Sequence, residues 1–462
     1  MSFLIIGIVL LAYLLIATEY FTHINKAAVA IFSGTLMWVL YVCYGTDFVM
    51  TQHPQGYAGF LEQVSLPNTV AVKKYIAQNV FLPSVGKAAE IVLYLLATMT
   101  IVEILNNNGC FDFVRQLLRT HNSKKMLWTL AISTFLISAN LDNLTTTVMM
   151  LSIMRQVVQG RRQRMVYGSA IVLASNYGGA LTVIGNPEGL LLWNKEVVTP
   201  TVYSLMIALP TLVAWILPTW WLSLSLPERT STAWIALPYR GDDTTLSPWQ
   251  RVLMLFVGIG GLWFVPTFHN ITKLNPFLGA MCVLSVLWIV NELCNHKLNN
   301  TDQMIQRPIP RVLQYGAIQM ILFITGLLLL WKGVLETGLI DSLIPNDTMT
   351  YADAGLLSVG ACALSTVVDN FAMATCMFSL YGVSPEPNSV LLMQNGLYWI
   401  LVTFAIIVGG NVLGFGSLSG LSLMKTERIH IGWYFKNVGY KVLVGGAIGA
   451  LLLLAICSIK NL

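Results

Sequence analysis

The chain contains about ten apolar runs, each close to the length that crosses a lipid bilayer. A transmembrane helix needs about 20 mostly apolar residues. Charged residues make up only 10% of the 462 residues, against about 25% in an average soluble protein. We therefore predict a multi-pass protein partnered by the lipid bilayer, with spans near residues 3–18, 26–44, 88–106, 165–183, 201–223, 250–268, 272–293, 312–331, 394–411 and 438–458.

Several common kinds of functional site have no signature in this sequence. The seven cysteines are scattered and form no C-x-x-C pair, so neither a disulfide framework nor a thiolate metal site is expected. The glycine-rich fingerprints that bind nucleotides are missing. The net charge of +5 comes from basic loops and does not indicate nucleic-acid binding. We expect no cofactor, no nucleotide and no nucleic-acid partner.

Basic residues are distributed unevenly between the two sets of alternate loops. Most of the 26 Lys and Arg residues fall in one set, and loops rich in these residues usually face the cytoplasm. The loop 45–86 belongs to the other set and is expected outside. The cytoplasmic set comprises Lys26 and the basic clusters within 115–125, 155–164, 229–251, 297–311 and 425–441.

Two further apolar segments, 126–157 and 352–380, are interrupted by one polar pattern. Both contain Ser-x-x-x-Asp-Asn, at 138–143 and at 365–370. Each segment has about 30 residues and no polar connector, which is too short for two full crossings. We predict two re-entrant helical hairpins that enter from opposite sides, because the first has basic flanks and the second has the acidic flanks Glu336, Asp341, Asp347 and Glu386.

The two halves of the chain also share a glycine-rich stretch. Residues 178–189 read GGALTVIGNPEG and residues 409–420 read GGNVLGFGSLSG, with four glycines at the same spacing. Glycine disfavours a continuous helix, so each stretch predicts a broken helix. Secondary transporters built from inverted repeats bind ions between such helices. The predicted fold class is therefore an all-α polytopic membrane protein of about ten transmembrane helices plus two re-entrant hairpins, in an inverted-topology repeat.

Asp142 and Asp369 place one carboxylate at membrane depth in each half. Inserting an Asp there costs about 2.5 to 3.5 kcal/mol. Because the core of neither hairpin contains Lys or Arg, we expect each carboxylate to bind a proton or a metal ion. Oxygen-only ligation suits a hard alkali cation, so Na⁺ (or Li⁺) and H⁺ are the expected ligands. The structural alternative is helix capping, which is strongest for residues 145–147.

The expected ion-binding residues carry oxygen atoms and lie at the hairpin tips and in the broken helices. Na⁺ itself is expected at the two Asp-Asn pairs. Glu188 is the best third carboxylate, because it lies in the first broken helix. The full set is Asp142, Asn143, Asp369, Asn370, Ser138, Thr145, Thr146, Ser365, Gly185, Asn186, Glu188, Asn411, Gly416 and Ser417.

Four stretches of the sequence together resemble the NhaD-type sodium/proton antiporters. They read SANLDNLTTTVMM, GGALTVIGNPEGLLLW, STVVDNFAMATCM and GGNVLGFGSLSGLSLMKTERI. The resemblance runs in order from about residue 88 to 458. That family belongs to the ion transporter superfamily, with the dicarboxylate and citrate carriers. The resemblance implies a homodimer with a scaffold domain at the interface and a transport domain that moves as an elevator.

Carried over to this chain, the resemblance divides it into scaffold and transport parts that each occur twice. Each transport part contains one hairpin and one broken helix. The expected boundaries are 1–120 for the first scaffold part, 121–226 for the first transport part, 227–249 for a cytoplasmic linker, 250–345 for the second scaffold part and 346–462 for the second transport part.

Both broken helices depart from the pattern of the resembled family. That family usually has an Asp and a run of Thr after the glycine of the first break, whereas Gly185 precedes Asn186-Pro187-Glu188 here. Glu188 is expected to replace the missing carboxylate. The second break usually begins Gly-Thr-Gly-Gly-Ser, whereas 407–411 reads IVGGN. These departures concern ion preference and stoichiometry more than the fold.

The sequence favours a secondary transporter that exchanges cytoplasmic Na⁺ (or Li⁺) for external H⁺ in the inner (plasma) membrane of a prokaryote. The same-fold alternative is a sodium-coupled organic anion carrier, a class in which the hairpin tips are neutral, and Asp142 and Asp369 argue against it. An arsenite exporter or another anion carrier is less favoured than either. An intramembrane aspartyl protease would need the two Asp to share a proton. That reading leaves the paired glycine-rich breaks unexplained, so we expect no enzyme.

Overall fold

The computed structural model of the chain is almost entirely helical. It describes residues 2–63, 67–118, 120–230, 246–299, 318–340, 349–383 and 387–460. Within those ranges an isolated bridge pairs Asn122 with Arg229. The predicted all-α polytopic membrane fold is confirmed.

The α-helices are numbered here in chain order. Those of the first half are α1 (Ser2–Ala17), α2 (Glu19–Thr22), α3 (Lys26–Cys43), α4 (Gly45–Gln52), α5 (Pro54–Gln63), α6 (Asn68–Tyr75), α7 (Leu82–Asn107), α8 (Asp112–Leu117), α9 (Ser123–Ser138), α10 (Asn143–Val157), α11 (Arg161–Ala180), α12 (Pro187–Asn194) and α13 (Pro200–Ser223). Those of the second half are α14 (Pro248–Leu255), α15 (Gly261–Thr272), α16 (Pro276–Asn299), α17 (Ile318–Glu336), α18 (Tyr351–Ser365), α19 (Asn370–Leu380), α20 (Leu397–Val412), α21 (Leu418–Glu427), α22 (Ile431–Tyr434) and α23 (Tyr440–Lys460).

Seven helical stretches of the described chain are long and apolar enough to cross a membrane. Turns of π-helix join α6 to α7, α14 to α15 and α22 to α23, so three of the seven are composite. Large apolar side chains such as Phe256 and Leu356 are exposed on the helices, as lipid contact requires. The seven are Lys26–Cys43, Thr69–Asn107, Pro200–Ser223, Pro248–Thr272, Pro276–Cys294, Ile318–Glu336 and Ile431–Ser458.

The two segments interrupted by Asp-Asn each form a pair of shorter helices. The first pair is α9 and α10, and the second is α18 and α19. Helix α11 packs on α9, and α20 packs on α18, so the same packing relation occurs in both halves. The two halves meet where α10 and α11 contact α21. Around this centre, α3 packs on α17 and α13 packs on α23.

The stretch 45–86, predicted only as an external loop, is helical in its described part. Helices α4, α5 and α6 surround a small apolar cluster that includes Tyr41, Tyr57 and Tyr75. Aromatic side chains bury a large area each, which explains why the stretch folds against α3. Predictions that lie outside the described residues include 231–245 of the linker, 300–311 of a basic cluster, 312–317 of a span, and the flanking residues Asp341, Asp347 and Glu386.

One buried carboxylate, Glu427, connects the ends of α10, α11 and α21. The Arg164 Nε atom lies 3.0 Å from both Glu427 carboxylate oxygens, and the Arg155 Nε atom lies 3.3 Å from one of them. Arg161 donates to the main-chain oxygen of Glu427. Without the arginines, the buried Glu427 carboxylate would be an uncompensated charge, so this network holds the three helix ends together.

Candidate functional site

The first helix pair is interrupted immediately before Asp142, which caps the N-terminus of α10. Its Oδ2 atom accepts hydrogen bonds from the Thr145 amide at 2.9 Å and from the Thr145 hydroxyl at 3.0 Å. The side chain is 2% exposed, and its Oδ1 atom has no hydrogen-bond partner among the described residues. The predicted capping role therefore belongs to Asp142, while Thr145 supports the carboxylate. One carboxylate oxygen stays available.

The second helix pair repeats this arrangement with different partners. Asp369 caps α19, and its Oδ1 atom accepts a hydrogen bond from the Phe371 amide at 3.0 Å. The other oxygen, Oδ2, lies 2.6 Å from the Nζ atom of Lys26. Lys26 is 7% exposed and Asp369 is 5% exposed, so the ion pair is buried. The expectation that no base is available is wrong for Asp369, because Lys26 reaches it from α3, 343 residues away in sequence.

Each glycine-rich stretch forms a helix break as predicted from its composition. The first lies between α11 and α12, and the second between α20 and α21. Asn186 caps α12 by accepting from the Gly189 amide at 2.9 Å. Ser417 caps α21 by accepting from the Gly420 amide at 3.1 Å. The two capping residues occupy equivalent positions of the two stretches, and each caps the helix that follows.

One glycine in each break lets that break approach its neighbouring helix pair closely. A Cβ atom on Gly185 would lie 2.7 Å from the main-chain oxygen of Ser138. A Cβ atom on Gly416 would lie 2.1 Å from the main-chain oxygen of Ser365. Both distances are shorter than real Cβ contacts, so only glycine fits. The same contact therefore occurs at equivalent positions of both halves.

Side chains of the predicted set also connect the helix pairs to the breaks. The Ser138 hydroxyl donates to the Ser175 main-chain oxygen at 2.7 Å. The Asn370 amide nitrogen, in its better orientation, donates to the main-chain oxygens of Ile406 and Gly416 at 3.2 and 3.1 Å and to Ser365 Oγ at 2.8 Å. Ser138, Ser365 and Asn370 hold the tips in place through these hydrogen bonds.

Asn176, which was not among the predicted site residues, joins the two halves at the centre. Its Nδ2 atom donates to Asn411 Oδ1 at 2.8 Å and to Ser417 Oγ at 3.0 Å. Its Oδ1 atom accepts from the Asn143 amide at 3.3 Å. One side chain thus connects the first helix tip with the second broken helix. In the sequence, Asn176 could have been found as a polar residue inside an apolar span.

Glu188 is the third carboxylate of the site. It lies in the first turn of α12, is 4% exposed, and its Oε2 atom has no partner within the described part of the chain. The charges of Asp369, Asp142 and Lys26 all act on it. Three carboxylates and one ammonium therefore share one electrostatic neighbourhood. The Thr146 hydroxyl, one helical turn after Asp142, is also buried and has no hydrogen-bond partner in the part of the chain that the structure describes.

Lys195 lies just after α12, outside the candidate spans. Its Nζ atom donates to the main-chain oxygen of Phe378 at 2.7 Å, near the end of α19. Burial lowers the pKa of Lys195 to about 8, and the charges of Lys332 and Lys87 act in the same direction. This contact connects the first broken helix with the second helix pair.

A cleft leads to the Lys26–Asp369 pair. It is lined by Ile16, Ala17, Glu19, Lys26, Val367, Asp369, Phe415 and Leu421. No group of three or more His, Cys, Asp or Glu is placed to hold a metal ion in the ranges that the structure describes. A cation bound here would therefore take mixed ligands, namely carboxylate oxygens with hydroxyl, amide or main-chain oxygens.

Comparison with known proteins gives one family and several relatives. A family model described as a citrate transporter matches residues 12–409. Sodium/proton antiporter 1 of Arabidopsis thaliana is 28% identical over 87% of this chain and 71% of its own length, and sodium/proton antiporter 2 is 29% identical over 80% and 86%. The Na⁺/H⁺ antiporter NhaD of Alkalimonas amylolytica is 25% identical over 92% and 84%. The resemblance to NhaD-type antiporters is confirmed.

Proposed function

The chain belongs to the citrate transporter family, and from that membership we propose that it exchanges Na⁺ (or Li⁺) for H⁺ across a membrane. Relatives named as sodium/proton antiporters cover most of the chain, and they support antiport over other activities of the family. The chain is a transporter and not an enzyme. The residues proposed to hold the ion are Asp142, Glu188 and Thr146, with Asp369 as the equivalent carboxylate of the second half.

The observation that carries this proposal is the pair of unpartnered carboxylate oxygens, Asp142 Oδ1 and Glu188 Oε2. A buried carboxylate without a partner is expensive, at several kcal/mol in a membrane. A proton or a bound cation removes that cost. Sodium prefers oxygen ligands, and the unpartnered Thr146 hydroxyl lies in the same helix as Asp142. The atoms that a small cation needs are therefore the ones left unused.

Exchange follows from one carboxylate serving two ligands. Asp142 binds either Na⁺ or H⁺, so it releases one when it takes the other. If only the loaded or protonated site crosses the membrane, each sodium that leaves is matched by protons that enter. The bare carboxylate does not cross, because moving an unpaired charge through the membrane centre is costly.

The charges of the site argue against a citrate-like substrate. Glu188 experiences two other carboxylates and a single ammonium, Lys26, and that ammonium already pairs with Asp369. An organic di- or tricarboxylate would meet like charges at close range, which disfavours binding. The family's name keeps sodium-coupled organic anion transport as the second candidate.

The direction of exchange is proposed from the basic residues. Lys26 and Lys425 belong to the loops assigned to the cytoplasm. The Lys425 Nζ atom lies 3.6 Å from the Oε1 atom of Glu19, which lines the cleft. The cleft to Asp369 would then open to the cytoplasm, as loading of cytoplasmic sodium requires. We place the protein in the plasma membrane by analogy with its bacterial relatives.

The movement is proposed from the packing. The two helix pairs and two broken helices contact one another closely. They would move together against α3, α7 and α17, which we call the frame. On this proposal the two helix pairs are re-entrant hairpins of an inverted repeat, and the frame forms the contact of a homodimer. A cross-link between the frame and a helix tip would block such an elevator movement.

The experiment uses everted membrane vesicles from cells that lack their own antiporters, with a dye that reports the pH gradient. Addition of sodium or lithium should dissipate the gradient, and Asp142→Asn should abolish the response. Potassium and choline serve as cation controls, and labelled citrate uptake is measured in parallel. No response to any alkali cation from pH 6 to 9, with the protein present in the membrane, would overturn the proposal. Sodium-driven citrate uptake would replace it with the second candidate.

A further inference from the structure

The two Asp residues at the helix tips differ in one respect. In each, one carboxylate oxygen caps the following helix, at Asp142 through Thr145 and at Asp369 through Phe371. The remaining oxygen of Asp142 has no partner among the residues that the structure describes, whereas the remaining oxygen of Asp369 lies 2.6 Å from Lys26 Nζ. An ammonium thus occupies the position at Asp369 that is open at Asp142.

Lys26 is held firmly in this position. It is the first residue of α3, and Asn25 caps that helix by accepting from the Ala27 amide at 2.8 Å. The Nζ atom also lies 4.8 Å from the centre of the Phe323 ring on α17, a favourable cation–π distance. Because α3 and α17 pack on each other, the ammonium is presented to Asp369 by a rigid part of the fold.

We propose that Lys26 is a tethered cation that competes with the transported ion for Asp369. This inference rests on the proposed function and adds a specificity-determining residue to it. When no metal ion is present, the ammonium neutralises Asp369. When sodium reaches the pair through the cleft, it displaces the ammonium from Oδ2. Competition from Lys26 therefore makes the sodium affinity of Asp369 lower than that of a carboxylate without an ammonium partner.

Displacement of Lys26 would also change how the second helix tip is held. The tip has a second attachment to the frame, because the Tyr13 hydroxyl donates to the Ala372 main-chain oxygen at 2.6 Å and accepts from the Trp331 indole at 2.6 Å. The Lys26 contact is the charged one of the two, and a cation can compete with it directly. Ion loading then breaks the Lys26–Asp369 contact and leaves the Tyr13–Ala372 hydrogen bond. Loss of this contact favours movement of the loaded state.

The test measures the apparent KM for sodium in proteoliposomes at one fixed pH. Lys26→Ala removes the competitor and should lower the KM about tenfold, the change that 1.4 kcal/mol produces. Lys26→Arg keeps the tethered charge and should leave the KM at or above that of the wild type. Lys441→Ala is the matched control, because Lys441 is 6% exposed and lies over the Tyr440 ring but has no carboxylate partner among the described residues.

A second neutral variant keeps the test valid if Lys26→Ala does not fold. Lys26→Gln retains a hydrogen-bond donor without the charge, and its KM should fall as in Lys26→Ala. An unchanged or raised KM in the neutral variants, beside a normal wild-type sodium response, would overturn this inference alone. A wild type without any sodium response would overturn the proposed function and this inference with it.

Discussion

Replacing Asp142 by Asn separates ion binding from helix capping. The Asp142 carboxylate accepts two hydrogen bonds from Thr145, and an Asn side-chain oxygen can accept both. Asn and Asp are about equally good N-caps. The weaker neutral hydrogen bonds cost about 1 kcal/mol, and the loss of a buried charge with an unpartnered oxygen offsets this. The free energy of unfolding in sodium-free buffer should therefore change by less than about 1 kcal/mol.

The same substitution should remove the response to sodium. A ligand that binds only the folded state at 100 times its Kd stabilises a protein by about 2.7 kcal/mol. The wild type should gain stability on this scale in excess sodium. Asp142→Asn should gain almost none, because its own charged ligand atom is gone and Lys26 already neutralises Asp369. Asp142→Ala loses the cap as well, so it should also be about 1 to 2 kcal/mol less stable without sodium.

Thermal unfolding of the wild type and of both variants, purified in detergent and measured in sodium and in choline, tests these expectations. The expected pattern is a normal midpoint in choline for Asp142→Asn, no upward shift in sodium, and loss of transport. Full retention of the sodium shift and of transport in Asp142→Asn would refute the ion-binding role and leave Asp142 as a cap. A large loss of stability in choline would instead identify a structural role for its charge.

Three other positions test the packing around the proposed site. Glu427→Gln should destabilise the fold by about 1.5 to 3 kcal/mol, because it removes the buried charge that accepts hydrogen bonds from the Arg155 and Arg164 guanidinium groups. Gly416→Ala should lower stability and transport together, since its Cβ atom would lie 2.1 Å from the Ser365 main-chain oxygen. Lys195 has a pKa of about 8 in the fold, below its ordinary 10.5. Between these values the unfolded chain binds the extra proton, so the wild type should gain stability relative to Lys195→Met as the pH rises.

Thermal midpoints check these three predictions, and the first two have matched control variants. Glu19→Gln disturbs a carboxylate whose partner, Lys425, is 64% exposed, so it should cost less than about 1 kcal/mol. Gly360→Ala should be tolerated, because nothing lies within 4 Å of a Cβ atom there. A Glu427→Gln midpoint equal to that of Glu19→Gln, an unaffected Gly416→Ala, or a Lys195→Met difference that is flat from pH 7.5 to 10 would each contradict the corresponding prediction.

The breaks in the fold were predictable from the sequence because they depend on local chemistry. A polar pattern inside an apolar run cannot continue as an ordinary span, and glycines at matched spacing weaken a helix wherever it lies. The helix pairs end and restart at Asp142 and Asp369, and the broken helices restart at Asn186 and Ser417, within the predicted stretches. Their roles as ion ligands stay predictions.

The partners of these residues were not predictable, because they come from distant parts of the chain. Lys26 was counted only as a basic residue at a span end, and nothing near Asp369 in sequence indicates that it pairs there. Asn176 joins Asn411 across 235 residues. The expectation that capping would fall to the threonines failed for a different reason, since an Asp immediately before a helix competes for the same amide.

The most direct test of sodium/proton exchange measures both ions in the same proteoliposomes of purified protein. An outward proton gradient is imposed, and ²²Na⁺ uptake and internal pH are followed together. The account predicts that sodium accumulates above its external concentration while protons leave, and that Asp142→Asn abolishes both fluxes. Sodium uptake that is the same with and without the proton gradient, or proton release that does not need sodium, would contradict it.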